Sequence, residues 1–336
     1  MPEPAAKPEA RENFILQTAQ QVASTEAGMH TLAVPAAGFD PGADAYGLTG
    51  EAKGQFRIVI GRFFHQRLAM IGLSVFVLLG VASVLVGHFW QYSYTTITNN
   101  LNDPPSWTNP FGTNAIGNDM FAQVMAGVQK DIEIALTVAA IATLIGVTIG
   151  AIAGFYRGWI DSVLMRFVDL VLVLPVLAVL ILLSSKLAKQ SSNWLGLALI
   201  IGLLSWTYVA RLVRADFLSL RERDFIEASR ALGATNRRII VKHMLPNAVG
   251  PITVNATLTV ALSIILESTL SFLGLGVQPP NVSLGLLVDQ GQSSATTEWW
   301  LFVFPVVFLI ILILSIFLIG DGLREAFDPK KSRVRA

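Results

Sequence analysis

Residues 227–247 read EASRALGATNRRIIVKHMLPN, a charged stretch within an apolar chain. It holds one acidic residue, four Lys/Arg and a histidine, although 53% of the chain is hydrophobic. Uncharged apolar windows flank it at 190–210 and 248–266. A connection between two helices is commonly much shorter. The stretch therefore indicates a folded element with a role of its own.

Six windows of the sequence approach or reach the roughly 20 apolar residues that a helix needs to cross a bilayer. With 14% charged residues and a mean hydropathy of +0.59, the chain is too apolar for a soluble protein of 336 residues. We predict an all-α, polytopic membrane protein with six transmembrane helices. The windows are 68–90, 134–156, 170–185, 190–210, 248–266 and 299–320, and the third reaches spanning length if its helix begins near Met165.

The basic residues predict the orientation of these helices. With the N-terminus inside, only Lys130, Lys186 and Lys189 of the 24 Lys/Arg fall on the outer face. The positive-inside rule makes the other face cytoplasmic. Both termini are then expected in the cytoplasm. The inner segments are 1–67, 157–169, 211–247 and 321–336, and the outer ones are 91–130, 186–190 and 276–298.

The segments around the membrane domain differ in composition. Residues 1–55 are rich in Ala, Pro, Gly and Glu without helical or strand periodicity, which predicts a disordered cytoplasmic tail. Residues 56–67 mix basic and aromatic side chains, which favours a juxtamembrane helix on the inner leaflet over a specific lipid site. The first apolar window is expected to be an uncleaved anchor, since no signal peptide precedes it. The transmembrane domain is placed at 68–320, with a cytoplasmic loop at 211–247 and a C-terminal tail at 321–336.

The stretch around Glu227 has the pattern of two short helices. Asp224 is positioned to cap a first helix, Glu227 completes a capping box, and Gly233 suits a left-handed C-cap. Phe225, Ala228, Ser229 and Leu232 would share one face of that helix. Thr235 or Asn236 would cap a second helix that carries Ile239, Ile240, His243 and Met244 and that Pro246 ends.

Three interpretations of this helix pair remain open on physical grounds. Each helix is too short to span a membrane and has an apolar stripe among basic residues, so the pair fits a groove on another protein. It equally fits an amphipathic elbow on the inner leaflet, with Arg237, Arg238 and Lys242 near lipid phosphates. A nucleic-acid helix-turn-helix is disfavoured because membrane spans tether both ends.

Glycine and proline mark packing and bends within the spans. Gly146, Gly150 and Gly154 form a GxxxGxxxG ladder that lets another helix approach closely. Pro175 and Pro305 each remove a backbone hydrogen bond and are expected to kink the third and sixth spans.

Charged and polar residues within and between the spans are the remaining candidates for function. Glu267 follows an apolar run in the fifth span, so it either lines a path or gate near the outer face or is already solvated at the interface, capping the turn at 268–271. Arg166 and Asp169 are expected to pair, since they lie three residues apart on a helix. Asn114, Asn118 and Asp119 suggest a capped external elbow among glycines.

No site for covalent chemistry emerges from the sequence. The chain has no cysteine, and its four histidines are scattered, without an HExxH motif. It has no GxxxxGK[ST] loop, so it does not hydrolyse ATP through a Walker site. An integral membrane enzyme and a passive channel are the alternatives from other classes.

The 227–247 stretch resembles the EAA signature of bacterial ABC importer permeases, with Glu227, Ala228, Gly233, Leu245 and Pro246 at the matching spacing. It departs at Ser229, where the signature has alanine, and at His243, where it has isoleucine. The resemblance implies that the stretch is a coupling helix that docks in a cleft of a cytoplasmic ATPase. Its implied docking residues are Phe225, Glu227, Ala228, Ser229, Leu232, Gly233, Leu245 and Pro246.

Five further motifs resemble the C-type permease of the dipeptide, oligopeptide and nickel ABC importer family, over about residue 56 to the C-terminus. They are NPFGTNAIGNDM at 109–120, DSVLMRFVDLVLVLP at 161–175, ARLVRADFLSL at 210–220, ESTLSFLGLGVQPP at 267–280 and GDGLREAFDP at 320–329. The family implies a type I importer permease fold, a second homologous permease, two ATPase domains that bind ATP and Mg, and an extracytoplasmic solute-binding protein. The binding protein would contact the region of Asn114, Asn118 and Asp119.

The resemblance also implies location and cargo. The chain would be a non-catalytic subunit without a cofactor of its own, in a bacterial inner membrane, with no nucleic-acid partner. It would work by alternating access, importing short peptides or, as the second possibility, nickel chelates or glutathione-like solutes.

Overall fold

The computed structural model describes residues 55–187 and 194–328, and ten helices account for most of them. The predicted tail at 1–55 lies outside these residues except for Gln55, as do part of the 186–190 connection and residues 329–336 of the C-terminal tail. The helices are α1 (Gln55–Phe64), α2 (Arg67–Phe89), α3 (Met120–Tyr156), α4 (Gly158–Val173), α5 (Val176–Leu187), α6 (Trp194–Arg221), α7 (Asp224–Ala231), α8 (Asn236–Phe272), α9 (Leu284–Gln292) and α10 (Trp299–Phe327).

Within the described residues, five helices are long and apolar enough to cross a membrane: α2, α3, α6, α8 and α10. The pair α4 and α5 makes a sixth span if it is counted as one, although the two halves are bent by 77°. The all-α, polytopic architecture is therefore confirmed, with five spans, or the predicted six if the bent pair counts as one. Residues 91–119 and α9 lie at one end of the bundle, which we call the loop face. The elbow, residues 224–247, consists of α7, the turn after it and the start of α8, and it lies at the other end, the elbow face.

The third span is more sharply broken than a kink. It begins at Gly158, well before Met165, and it stops at Val173 before restarting at Val176. Pro175 explains the break because it has no N–H to donate, and its ring disfavours a helical conformation at Leu174. Leu174 accordingly has an extended backbone, with ψ at 132°. Pro305 differs, since α10 runs past it without interruption.

The glycine ladder brings α3 and α6 into close contact, as its spacing predicts. A Cβ atom added at Gly146 would lie 2.5 Å from Val209 Cβ, and one at Gly150 would lie 2.5 Å from the Ala210 carbonyl oxygen. At Gly154 it would lie 2.6 Å from Phe217 Cβ. The missing side chains thus let the two helices pack backbone against side chain along three turns.

Two predicted local features are wrong. Asp169 pairs with Arg211 of α6 at 2.5 Å and not with Arg166, whose side chain is exposed. Asp169 lies on the side of α4 that meets α6, so Arg211 is within reach, whereas Arg166 is exposed. The outer segment 276–298 is also more than a loop, because it contains α9, which Ser283 caps by accepting from the Leu286 amide at 3.2 Å.

The juxtamembrane segment forms α1, a helix that packs on the membrane domain. Val59 and Phe63 are buried against Ala69 of α2 and Ala326 of α10. The predicted helix is therefore present, and its apolar side rests on protein.

Candidate functional site: the elbow and the loop face

The turn after α7 closes that helix as the sequence predicts. Gly233 has φ at 77°, and its amide donates to the Arg230 carbonyl at 2.9 Å. The Ala234 amide donates to the Ser229 carbonyl at 3.0 Å. These two bonds and the left-handed glycine are a Schellman motif, which satisfies the carbonyls at the helix end. Asp224 is not the N-cap, since Arg223 occupies that position with an extended backbone and no capping side chain.

The second half of the elbow is not a separate short helix. From Asn236 the helix continues through a π-helical turn at Ile239–Met244 and then without a break to Phe272. Pro246 does not end it, which corrects the prediction. In the π-helical turn the Leu245 amide donates to the Ile240 carbonyl, so the backbone bonds change register just before Pro246. Proline is tolerated there, as in the first turn of a helix.

One buried side chain attaches α7 to the bundle. Ile226 is fully buried beside Phe155 of α3, Phe217 of α6 and Met244 of α8. The elbow is thereby fixed by core packing to the ends of three spans. The Ile226 role was missed in the sequence because the apolar stripe was assigned to the other side of the helix.

The opposite side of α7 faces away from the bundle. Leu232 is 88% exposed and Phe225 is 42% exposed, and Glu227 and Ala228 are exposed between them. Phe225 and Leu232 are thus two large apolar side chains left exposed on the elbow face. Of the other predicted docking residues, Ser229 and Leu245 are half-buried, and Pro246 is exposed.

Arginines tie the elbow to the end of α3. Arg221 donates from Nη1 to the Phe155 carbonyl oxygen, and its guanidinium carbon lies 6.0 Å from the Phe155 ring centroid. Arg230 of α7 lies over the same ring at 5.8 Å. Arg157 donates from Nη2 to Glu222 Oε1 at 2.5 Å. Cation–π and charged contacts therefore join the ends of α3 and α6, and Arg230 adds α7 to them.

On the loop face, Asp119 organises the segment that precedes α3. It is buried, and its carboxylate accepts from Trp90 Nε1 at 2.8 Å, from Asn109 Nδ2 at 3.0 Å and from the Ala122 amide at 3.0 Å. Asn118 is also buried and donates to the Thr96 carbonyl at 3.0 Å. The predicted capped turn is thus present on the loop face. Asp119 is fully buried, whereas Asn118 borders a cavity of about 200 Å³ together with Asn114 and Gln290.

Asn114 is the one residue of the predicted set that remains partly exposed. It borders a cavity of about 380 Å³ that opens on the loop face, together with Ile116, Leu287, Gln290 and Glu298. The lining combines amide, carboxylate and aliphatic groups.

Glu267 lies inside the bundle and neither at a solvated interface nor on an open surface. Its side chain is 1% exposed, and Oε1 accepts from Ser271 Oγ at 2.6 Å. Asp131 of α3 is equally buried nearby, and its Oδ2 accepts from the Leu284 amide of α9 at 3.3 Å. Asp131 was missed because the apolar window was begun at Ile134, which left Asp131 at the edge of a supposed outer segment.

The chain is similar to known proteins. Residues 146–333, more than half of the chain, match the family described as binding-protein-dependent transport system inner membrane component. Residues 54–105 match the N-terminal TM domain of oligopeptide transport permease C.

Individual relatives are similar over most of their length. The oligopeptide transport system permease protein OppC of Mycobacterium tuberculosis (strain ATCC 25618 / H37Rv) is 42% identical over 83% of this chain and 96% of its own. OppC of Bacillus subtilis (strain 168) is 36% identical, over 88% and 98%. A solved structure of the MetNI methionine ABC transporter, inward facing, has a TM-score of 0.49 at 21% identity, covering 62% of this chain and 98% of that chain. The chain belongs to the binding-protein-dependent inner-membrane transport components, in the group that carries the N-terminal domain of oligopeptide permease C.

Proposed function

We propose that the chain is one transmembrane half of an ATP-driven importer of short peptides, in which α7 and the start of α8 dock on a separate ATPase. The observation that carries the proposal is the two-sided α7. Ile226 fixes the helix to the bundle, whereas Phe225 and Leu232 project from it without cover in this chain. A docked partner would bury this apolar surface, and the Ile226 anchor would pass its movement to α3, α6 and α8.

The partners follow from this arrangement and from the relatives. A second homologous permease would complete the path, two ATPase domains would bind ATP and Mg, and a solute-binding protein would meet the loop face near Asn114. The chain would need no cofactor of its own and would catalyse no bond cleavage. It would lie in a bacterial inner membrane with both termini and the elbow in the cytoplasm, as the basic residues of the elbow face favour.

Peptides are the proposed cargo because the relatives at 36% to 42% identity carry the name oligopeptide permease. Nickel chelates and glutathione-like solutes are the second candidate, on the sequence resemblance alone. Uptake of labelled peptides into proteoliposomes that contain the full assembly and internal ATP distinguishes the two. Uptake without ATP would instead support a passive channel.

Docking is tested by crosslinking, which the sequence makes simple because the chain has no native cysteine. A cysteine at Leu232 should crosslink to a cysteine in the ATPase groove. The matched control is a cysteine at Trp107, which is fully exposed on the loop face and should not crosslink. In intact cells, an impermeant thiol reagent should label position 107 and spare position 232. Labelling of position 232 from outside would overturn the orientation, and a missing crosslink would overturn the docking.

A further inference from the structure

Asp131 and Glu267 bring two carboxylates together inside the bundle. Each residue is 1% exposed, and their hydrogen bonds meet at the adjacent residues Ser283 and Leu284. Ser283 links them, because its Oγ donates to Ser271 Oγ at 3.2 Å while the next residue, Leu284, donates its amide to Asp131. The pair therefore connects α3, α8 and the start of α9 at a single buried point.

The two carboxylates differ in their hydrogen-bond donors. Glu267 accepts from Ser271 Oγ at 2.6 Å on one oxygen and from Ser268 Oγ at 3.4 Å on the other. Asp131 accepts from one amide at 3.3 Å, and its Oδ1 is buried without a partner. Buried Asp119, by contrast, has donors on both oxygens. Donors of this kind favour the ionised form of a carboxylate, and Asp131 largely lacks them.

Positive charge does not reach the pair from the surrounding helices. On α3, Lys130 pairs with Glu133 at 2.6 Å and lies over the Trp194 ring. The charged residues of α9 and of the start of α10 are acidic: Asp289, which accepts from Gln292 at 2.9 Å, and Glu298. Across residues 55–187 and 194–328, no Lys, Arg or His forms an ion pair with either carboxylate.

We propose that Asp131 and Glu267 form a proton-binding site, with the proton on Asp131 Oδ1 at neutral pH and the negative charge on Glu267. Burying two carboxylates together without a cationic partner costs free energy, and binding one proton neutralises one of the two negative charges. The packing beside the pair is dense, since a Cβ atom added at Gly285 would lie 2.6 Å from Ser268 Cα. A proton can bind there because it needs no additional space. The site holds the first turn of α9 in place through Ser283 and Leu284.

The full chain in lipid nanodiscs tests the site without reference to transport. Asp131→Asn imitates the protonated side chain, so we expect an unchanged unfolding temperature and the loss of one deuterium-sensitive carboxylic acid band from the infrared spectrum at neutral pH. The matched control is Asp119→Asn, which removes a buried carboxylate that accepts hydrogen bonds on both oxygens. It should lower the unfolding temperature and leave the infrared band in place.

Three results would overturn the proposal. The first is an infrared band that survives in Asp131→Asn. The second is destabilisation of Asp131→Asn as large as that of Asp119→Asn, including failure to fold. The third is that the unsubstituted chain lacks the infrared band and its unfolding temperature changes with sodium concentration, which would assign a metal cation to the pair instead.

Discussion

Arg214 of α6 donates two parallel hydrogen bonds to Asp161 of α4, from Nε to Oδ1 at 2.5 Å and from Nη2 to Oδ2 at 2.6 Å. The Asp161 side chain is 15% exposed. The neighbouring pair of the same two helices, Arg211 and Asp169, has one bond at 2.5 Å, and both side chains are about half exposed. The first pair therefore holds the broken third span against α6 more firmly than the second.

The two pairs should differ in their contribution to stability. Asp161→Asn should lower the free energy of unfolding by about 1.5–3 kcal/mol, since a bidentate charged contact is lost. Asp169→Asn should cost less than about 1 kcal/mol because solvent screens the exposed pair. Chemical unfolding of both variants in detergent measures the difference. Equal losses would show that the second bond and the burial of Asp161 add nothing.

The close approach of α3 and α6 predicts a strong effect of a single methyl group. Gly150→Ala should destabilise the bundle by about 1–3 kcal/mol, because the new Cβ would overlap the Ala210 carbonyl oxygen. Gly80→Ala in α2 is the control, since nothing lies within 4 Å of its added Cβ. Thermal unfolding should separate the two variants, and a Gly150→Ala protein as stable as Gly80→Ala would contradict the packing.

Substitutions on the two sides of α7 should affect different properties of the protein. Ile226→Ala leaves a cavity among Phe155, Phe217 and Met244, so the free energy of unfolding should drop by about 2–5 kcal/mol. Leu232→Ala should leave stability unchanged because the side chain is 88% exposed. If the proposed docking is correct, Leu232→Ala should still reduce transport-linked ATPase activity of the assembly. Normal activity of Leu232→Ala would remove it from the docking surface.

The turn at Gly233 should accept asparagine and reject a branched residue. Its φ of 77° is costly for most side chains, whereas asparagine adopts it more readily. Nothing lies within 4 Å of an added Cβ, so strain rather than a clash decides the result. Gly233→Val should cost about 1–2 kcal/mol more than Gly233→Asn. Hydrogen exchange of the Gly233 and Ala234 positions would report the loss, and equal protection in both variants would contradict it.

The spans could be predicted from the sequence because their signal is local. A run of about 20 apolar residues specifies a membrane helix whatever its neighbours are, and the left-handed turn at Gly233 depends on a few adjacent residues. The approximate position of the elbow could be predicted for the same reason. The continuation of the helix from the elbow into α8 could not be predicted, because a proline such as Pro246 ordinarily ends a helix. Here the π-helical turn before Pro246 lets the helix continue.

The buried acidic pair could not be predicted from local patterns. Asp131 meets the amide of Leu284, which is 153 positions away in the chain, and no periodicity connects two such sites. Glu267 could be recognised as unusual, but its surroundings depend on where α3 and α9 pack. The same limit applies to Asp169, whose partner Arg211 comes from another helix and not from the same one.

The continuity of α8 has a mechanical consequence. At 1.5 Å per residue, the 37 residues from Asn236 to Phe272 form a rod of roughly 55 Å. One end carries the turn beside Gly233, and the other carries Glu267 next to α9. A tilt of about 5° about the elbow end would displace the far end by roughly 5 Å, given that length. Under the proposed docking, a movement of the elbow would therefore reach the Glu267 end through the continuous helix.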